Sequence, residues 1–96
     1  SLGLDQSWRY KAVDLLLPQS RILDLGCGTG DLAIAAATRR KGSVVGLDIS
    51  EPMLQLAHLK AQKLQLNGLC EFKKGQAQAI PFADSSFDAA ISGFVF

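Results

Sequence analysis

This chain is short of several things, and each shortage removes a class of protein. It has two cysteines, Cys27 and Cys70, too few for the disulfide framework that staples small secreted folds. Each lies in a stretch that reads as interior, so a reducing, cytoplasm-like (cytoplasmic) compartment is the expectation. Charge of one sign is missing too. Ten Lys plus Arg face nine Asp plus Glu, for a net charge of +1, and no large field exists to gather phosphate backbones or anionic lipid. Nucleic acid is therefore not an expected partner. Long apolar runs are absent: Leu15-Leu16-Leu17 is stopped by Pro18, far short of the roughly 20 residues that span a bilayer. Ser1 to Lys11 lacks the basic start and apolar core of a secretory signal, so the chain reads as soluble. It also begins without Met, which suggests that something upstream is missing or was removed. There is no internal repeat or low-complexity tract.

What is present is an ordinary globular balance. The 96 residues are 48% hydrophobic and 20% charged, too apolar for disorder and enough for one small domain with a thin core. A two-domain enzyme is excluded. Helical and strand-like stretches alternate, which is the rhythm of an α/β fold with a parallel sheet. Residues from about Gln6 to Leu17 set Trp8, Ala12, Leu15 and Leu16 at helical spacing, closed by Pro18. Arg21 to Leu25 is a first strand and runs into Gly26-Cys27-Gly28-Thr29-Gly30. Asp31 opens a helix over Leu32 to Thr38, Arg39-Arg40-Lys41 crowd its last turn, and Gly42 serves as its stop. Ser43 to Asp48 is a second, largely apolar strand suited to a sheet covered on both faces.

Ser50 caps a third helix that starts with Glu51 and Pro52 and turns Leu54, Ala57, Ala61 and Leu64 to one face, ending at Asn67-Gly68. Leu69 to Lys73 alternates like an edge strand. A loop over Gly75 to Ser86 leads to a fourth strand, Phe87 to Ser92, and the chain stops on apolar Phe94-Val95-Phe96.

The chemistry concentrates between Ile22 and Gly30. A strand ending in Asp24, followed by glycines at 26, 28 and 30 and then a helix, puts bare backbone and amide hydrogens at the carboxyl end of a central strand. A ligand can approach there because no Cβ blocks it. Glycines alone equally suit a structural turn. Asp48 adds the second signal: it ends the next strand about twenty residues on, where an acid accepts hydrogen bonds from both ribose hydroxyls of a nucleoside. The dinucleotide pattern would want glycine at position 31, where this chain has Asp31. Carboxylates at Asp24 and Asp31 favour a ligand with a cationic part over a diphosphate, and a sulfonium nucleoside carrying an amino acid fits.

Three motifs in order then carry a family resemblance: Ile22-Leu23-Asp24-Leu25-Gly26-Cys27-Gly28-Thr29-Gly30, Val45-Gly46-Leu47-Asp48-Ile49-Ser50 with Met53-Leu54, and Ala79-Ile80-Pro81-Phe82 with Asp84 and Phe87-Asp88. The chain resembles a class I S-adenosylmethionine-dependent methyltransferase. Ser7-Trp8-Arg9, Gly30-Asp31-Leu32 and Ile91-Ser92-Gly93-Phe94 bring it nearest to the ubiquinone and menaquinone biosynthesis C-methyltransferases. The resemblance runs over nearly all 96 residues, but such relatives are about twice as long. Residues 1–96 are thus expected to be a partial domain, its cofactor-binding half.

The resemblance implies a Rossmann-like, doubly wound parallel sheet ordered 3-2-1-4 and S-adenosyl-L-methionine as cofactor. Carried onto this sequence, Asp24, Gly26, Cys27, Gly28, Gly30 and Gly93 would lie at the methionine end, Asp48 and Ile49 at the ribose, and Met53, Gln76 and Ala77 near the adenine. Gln76 stands where many relatives have an acid, although its amide oxygen accepts a hydrogen bond equally well. The implied reaction is methyl transfer to a small quinol-type acceptor. A lipid-soluble acceptor implies transient membrane contact, though no basic amphipathic helix supports it.

No general base and no metal-ligating set is visible, so the catalytic residue stays unassigned. Two alternatives stay open: a nucleoside-binding half-domain without turnover, and a nicotinamide oxidoreductase, which Asp31 disfavours. Blander roles fit other residues. Cys27 reads as a small filler within the loop, Cys70 as core, His58 as solvated surface, Trp8 as packing, Arg39 to Lys41 as a helix end, and Asp84 and Asp88 as turn and strand-start residues. The apolar fourth strand, if left at an edge, is a place for self-association.

Overall fold

Parallel pairing of short apolar strands organises the chain. In the computed structural model, which describes residues 7–76 and 86–92, with side chains from residue 10 onward, β1 (Arg21–Leu25), β2 (Ser43–Asp48), β3 (Cys70–Lys74) and β4 (Ala89–Ser92) form one sheet in the order β3-β2-β1-β4. All pairings are parallel, with Leu23 opposite both Val45 and Ala90, and Val45 opposite Glu71. This is the expected 3-2-1-4 order. The helices α1 (Ser7–Asp14), α2 (Asp31–Arg40) and α3 (Glu51–Lys63) connect or precede the strands.

A period of two along the strands sends Ile22, Val44 and Cys70 to one face. There they meet Val13 of α1, Ala33, Ala36 and Ala37 of α2, and Ala61 of α3 in a common core. The alanines let α2 lie close to the sheet, and α1 packs on α2. Arg39 ties these two helices together, reaching the Asp14 carboxylate at 3.0 Å and lying over the Tyr10 ring. Asp88 fastens the start of β4 to β1: its carboxylate accepts the Arg21 N–H at 2.8 Å, and its own N–H donates to the Arg21 carbonyl.

Four local expectations change. The first helix stops at Asp14, and Leu15 beyond it is 86% exposed, while Val13 takes the buried place. At the end of α2 the left-handed residue is Lys41 (φ 55°). Gly42 is needed for packing instead, because a Cβ there would sit 2.8 Å from Ile22 Cδ1 and 3.0 Å from the Ser20 carbonyl. α3 ends at Lys63, and Gln65 turns left-handed (φ 58°), so Leu64 leaves the buried face and is 58% exposed. β4 begins at Ala89, with Phe87 ahead of it. β3 does lie at a sheet edge, and β4 borders only β1 among the described strands. Ala77, Asp84 and Gly93 to Phe96, and the side chain of Trp8, lie outside the described residues.

Candidate functional site

The carboxyl ends of β1 and β2 carry the glycine loop and Asp48 side by side. After Leu25 the backbone turns left-handed at Gly26, Gly28 and Gly30 (φ 65°, 55° and 87°), a region that costs an L-residue with a Cβ about 1–2 kcal/mol. Hydrogen bonds from Cys27 N–H to the Leu47 carbonyl (2.8 Å) and from Gly30 N–H to the Cys27 carbonyl (2.9 Å) close the loop on β2 and on itself. Asp48 completes it from the other side. One carboxylate oxygen accepts the Gly28 N–H at 2.8 Å and the other the Ser50 N–H at 2.9 Å. Each oxygen keeps a second lone pair, so the same carboxylate that shapes the loop can also accept two hydroxyl donors.

The loop faces two different surroundings. A Cβ on Gly30 would lie 2.9 Å from Ala57 Cβ and 3.1 Å from Phe72 Cζ, which shows the loop pressed against α3 and β3. A Cβ on Gly28 would meet nothing within 4 Å. Gly28 therefore borders open space, where a ligand can touch main chain.

Asp24 lies beneath this loop. It is 1% exposed, and neither carboxylate oxygen has a hydrogen-bond partner among the described residues. Burial, and after it the Asp48 charge, push its pKa up to about 7. A buried, unpartnered carboxyl group is costly, and a cationic group brought alongside relieves the cost. That fits the ammonium and sulfonium of an S-adenosylmethionine-type ligand and does not fit a diphosphate.

The expected site residues divide as follows. Asp24, Gly26, Gly28, Gly30 and Asp48 come together. Ile49 follows Asp48 directly and Met53 lies in the first turn of α3, both exposed and both at the same end of the sheet as Asp48. Gln76 is exposed just beyond β3, and its neighbour Gly75 donates its N–H to the Asp48 carbonyl at 3.0 Å, which brings that segment back to Asp48. Cys27 enters by its backbone alone. Its side chain packs over Gly46, where a Cβ would be 2.8 Å from Cys27 Cβ and 2.9 Å from its Sγ. Burial first, then the charges of Asp24 and Asp48, raise its thiol to about 12, so it is no nucleophile at neutral pH. The Cys70 thiol, buried in the core, is likewise raised, to about 11. Ala77 and Gly93 lie outside the described residues.

Asp31 does not present a free carboxylate: Lys60 of α3 reaches it at 2.5 Å and also donates to Thr29 Oγ1 at 3.1 Å. Asp24, and not Asp31, is thus the carboxylate that disfavours a diphosphate here. Lys60 itself is unmarked in the sequence, since its role depends on α3 lying beside the loop. Among the described residues there is no cluster of His, Cys, Asp and Glu able to hold a metal and no helix long and apolar enough to cross a membrane.

Comparison with known proteins agrees with this geometry. A family model described as a methyltransferase domain matches residues 22–96. The demethylmenaquinone methyltransferase of Thermus thermophilus is 46% identical over 99 residues, covering all of this chain and 44% of that protein. A 2-phytyl-1,4-naphtoquinone methyltransferase from Synechococcus elongatus is 39% identical over 98 residues, 98% of this chain and 42% of the relative. The chain thus spans less than half the length of these curated relatives. Among solved structures, MccD superposes with a TM-score of 0.79 at 29% identity over 86% of this chain and 38% of its own. With a methyltransferase family model running from Ile22 across the glycine loop and Asp48, and with a sheet ordered 3-2-1-4, this chain belongs to the class I S-adenosylmethionine-dependent methyltransferases, and within them its sequence resembles the enzymes of quinone biosynthesis.

Proposed function

We propose that this chain is the S-adenosylmethionine-binding portion of a C-methyltransferase acting on a demethylated quinol of the menaquinone or ubiquinone type, working in the cytoplasm with no more than transient membrane contact. The observation that carries the cofactor assignment is Asp24, a buried carboxyl group without a partner below a loop whose outer side is open at Gly28. The acceptor class rests on similarity to the demethylmenaquinone and phytyl-naphtoquinone methyltransferases.

When bound, the cofactor supplies a methyl group already activated by its sulfonium. The chain's own residues bind and align. Asp24 faces the cationic amino-acid end, and the open backbone at Gly26 and Gly28 admits it closely. Asp48 uses its remaining lone pairs for the ribose hydroxyls, while Ile49 and Met53 pack against the base and Gln76 accepts from its amine. Ala77 and Gly93 belong to the same proposed set by position in the sequence. Holding both reactants in line lowers the barrier by up to roughly 7–11 kcal/mol. No residue here is assigned as general base.

Calorimetric titration with S-adenosylhomocysteine tests the site. The chain should bind, and Asp48→Ala, which removes an acceptor from both the ligand and the Gly28 N–H, should bind at least about tenfold more weakly. Equal binding by both would remove the ribose assignment. Transfer of labelled methyl from the cofactor to a demethylated quinol tests the reaction; binding without transfer would support a nucleoside-binding unit instead. Self-association through β4 should appear as a concentration-dependent mass in solution, and a monomer mass at every concentration would exclude it.

A further inference from the structure

Asp24 is an unusual group to leave in a binding site, because it is 1% exposed and has no neutralising neighbour among the described residues. On β2 the charged group near it is Asp48, whose two oxygens are held by the Gly28 and Ser50 amides. From the glycine loop comes Cys27, a thiol kept neutral by burial. β4, which pairs with β1 so that Ile91 lies opposite Asp24, carries no charged side chain. At the start of α2 stands Asp31, already paired with Lys60 of α3. Among the described residues no cation is therefore placed to stabilise an ionised Asp24, and the charge that acts on it is another acid, Asp48.

We propose that the cationic amino-acid end of the ligand displaces a proton from Asp24, so that the site releases one proton to solvent for each ligand molecule it takes in. This rests on the cofactor assignment above and adds to it. In the free chain the carboxyl group keeps its proton up to about pH 7, because burial keeps away the water that would stabilise the ionised form. In the complex the ligand's ammonium or sulfonium replaces the proton as its counter-charge. Binding then competes with protonation, and affinity rises with pH until the free carboxyl group is ionised. The burial that raises Asp24 to about 7 places this competition in the physiological range.

The test is calorimetry of the chain and of Asp24→Asn with S-adenosylmethionine and S-adenosylhomocysteine, between pH 5 and 7, in paired buffers of different ionisation enthalpy. Over this range the ligand's own amino group, with an ordinary pKa of about 7.7–8.0, stays protonated. Close to one proton per ligand should be released at pH 5.5 and about half at pH 7, and apparent affinity should tighten roughly 50-fold from pH 5 to 7. Asp24→Asn should bind with neither effect. Release with both ligands identifies the ammonium as the partner, and release with S-adenosylmethionine alone identifies the sulfonium; either supports the exchange. Binding without proton release, or release that persists in Asp24→Asn, overturns it and leaves the site assignment standing. Should the variant not fold, the proton count and pH profile of the unsubstituted chain decide alone. Absence of binding at every pH would overturn the site assignment itself.

Discussion

Replacing Asp24 by Asn should detach the stability of the free chain from pH between about 4 and 7. In the folded chain burial raises this group from 3.8 to about 7, so the folded state holds its proton more tightly than the unfolded state does. Below the unfolded value both states are protonated and Asp24 adds no penalty. As pH rises toward 7 the unfolded chain releases the proton first, and the folded chain loses stability throughout that interval. A shift of this size corresponds to about 4 kcal/mol, a large part of the 5–15 kcal/mol that holds a typical domain together. The Asn variant keeps a neutral amide at all pH values. It should match the parent near pH 4 and exceed it by up to about 4 kcal/mol at pH 8. Urea unfolding followed by far-ultraviolet circular dichroism, at pH 4.5, 6 and 7.5, measures the difference directly. Parallel pH profiles for the two proteins would refute the claim that Asp24 is buried without a counter-charge.

Other substitutions separate packing from binding at the same loop. Gly46→Ala drives a Cβ to within 2.9 Å of Cys27 Sγ and Phe72 Cδ1, and overpacking of this kind should cost about 1–3 kcal/mol in a thermal or urea melt; an unchanged melt would refute the close contact. Gly28→Ala meets no atom within 4 Å, so it should lose only the roughly 1–2 kcal/mol of a left-handed backbone while ligand binding falls by much more, and unimpaired binding would place the ligand elsewhere. Lys60→Met breaks a half-exposed ion pair with Asp31, worth less than about 1 kcal/mol. Amide hydrogen exchange at Thr29 to Asp31 should nonetheless quicken, and Lys60→Arg should slow it again; exchange indifferent to both would refute the tether.

What could be read without coordinates was whatever depends on neighbours along the chain. Ser50 caps α3 through its hydroxyl to the Met53 N–H, three residues on, so Ser-Glu-Pro announces that start. The glycines at 26, 28 and 30 imply a turn with its backbone open to close approach, and all three take the left-handed conformation that residues with a Cβ adopt at a cost. Alternating helices and apolar strands imply a parallel sheet, since parallel neighbours need a crossover. The twenty-residue step from Gly28 to Asp48 is the length of one such crossover, and the 2.8 Å bond between them is its result.

Helix ends and charge partners were less legible. Nothing local distinguishes Lys41 from Gly42 as the left-handed residue; the choice falls to Gly42's neighbours Ile22 and Ser20, brought there by other elements. Leu64 has helical spacing but lies beyond Lys63, the last residue of α3, just before Gln65 turns left-handed. Asp31 reads as a bare carboxylate until α3 delivers Lys60 from 29 residues away.

The sequence by itself thus determined the order of the elements, the position of the glycine loop and the acid that faces it, because turns, caps and crossover lengths are short-range constraints. Tertiary structure alone decided what surrounds each carboxylate. Asp24, Asp31 and Asp48 are the same residue type at neighbouring strand and helix ends, and the fold gives one of them a lysine, one a pair of backbone amides, and one only burial. Solvation and counter-charge are properties of the three-dimensional surroundings, and the chemistry of this site follows from that difference.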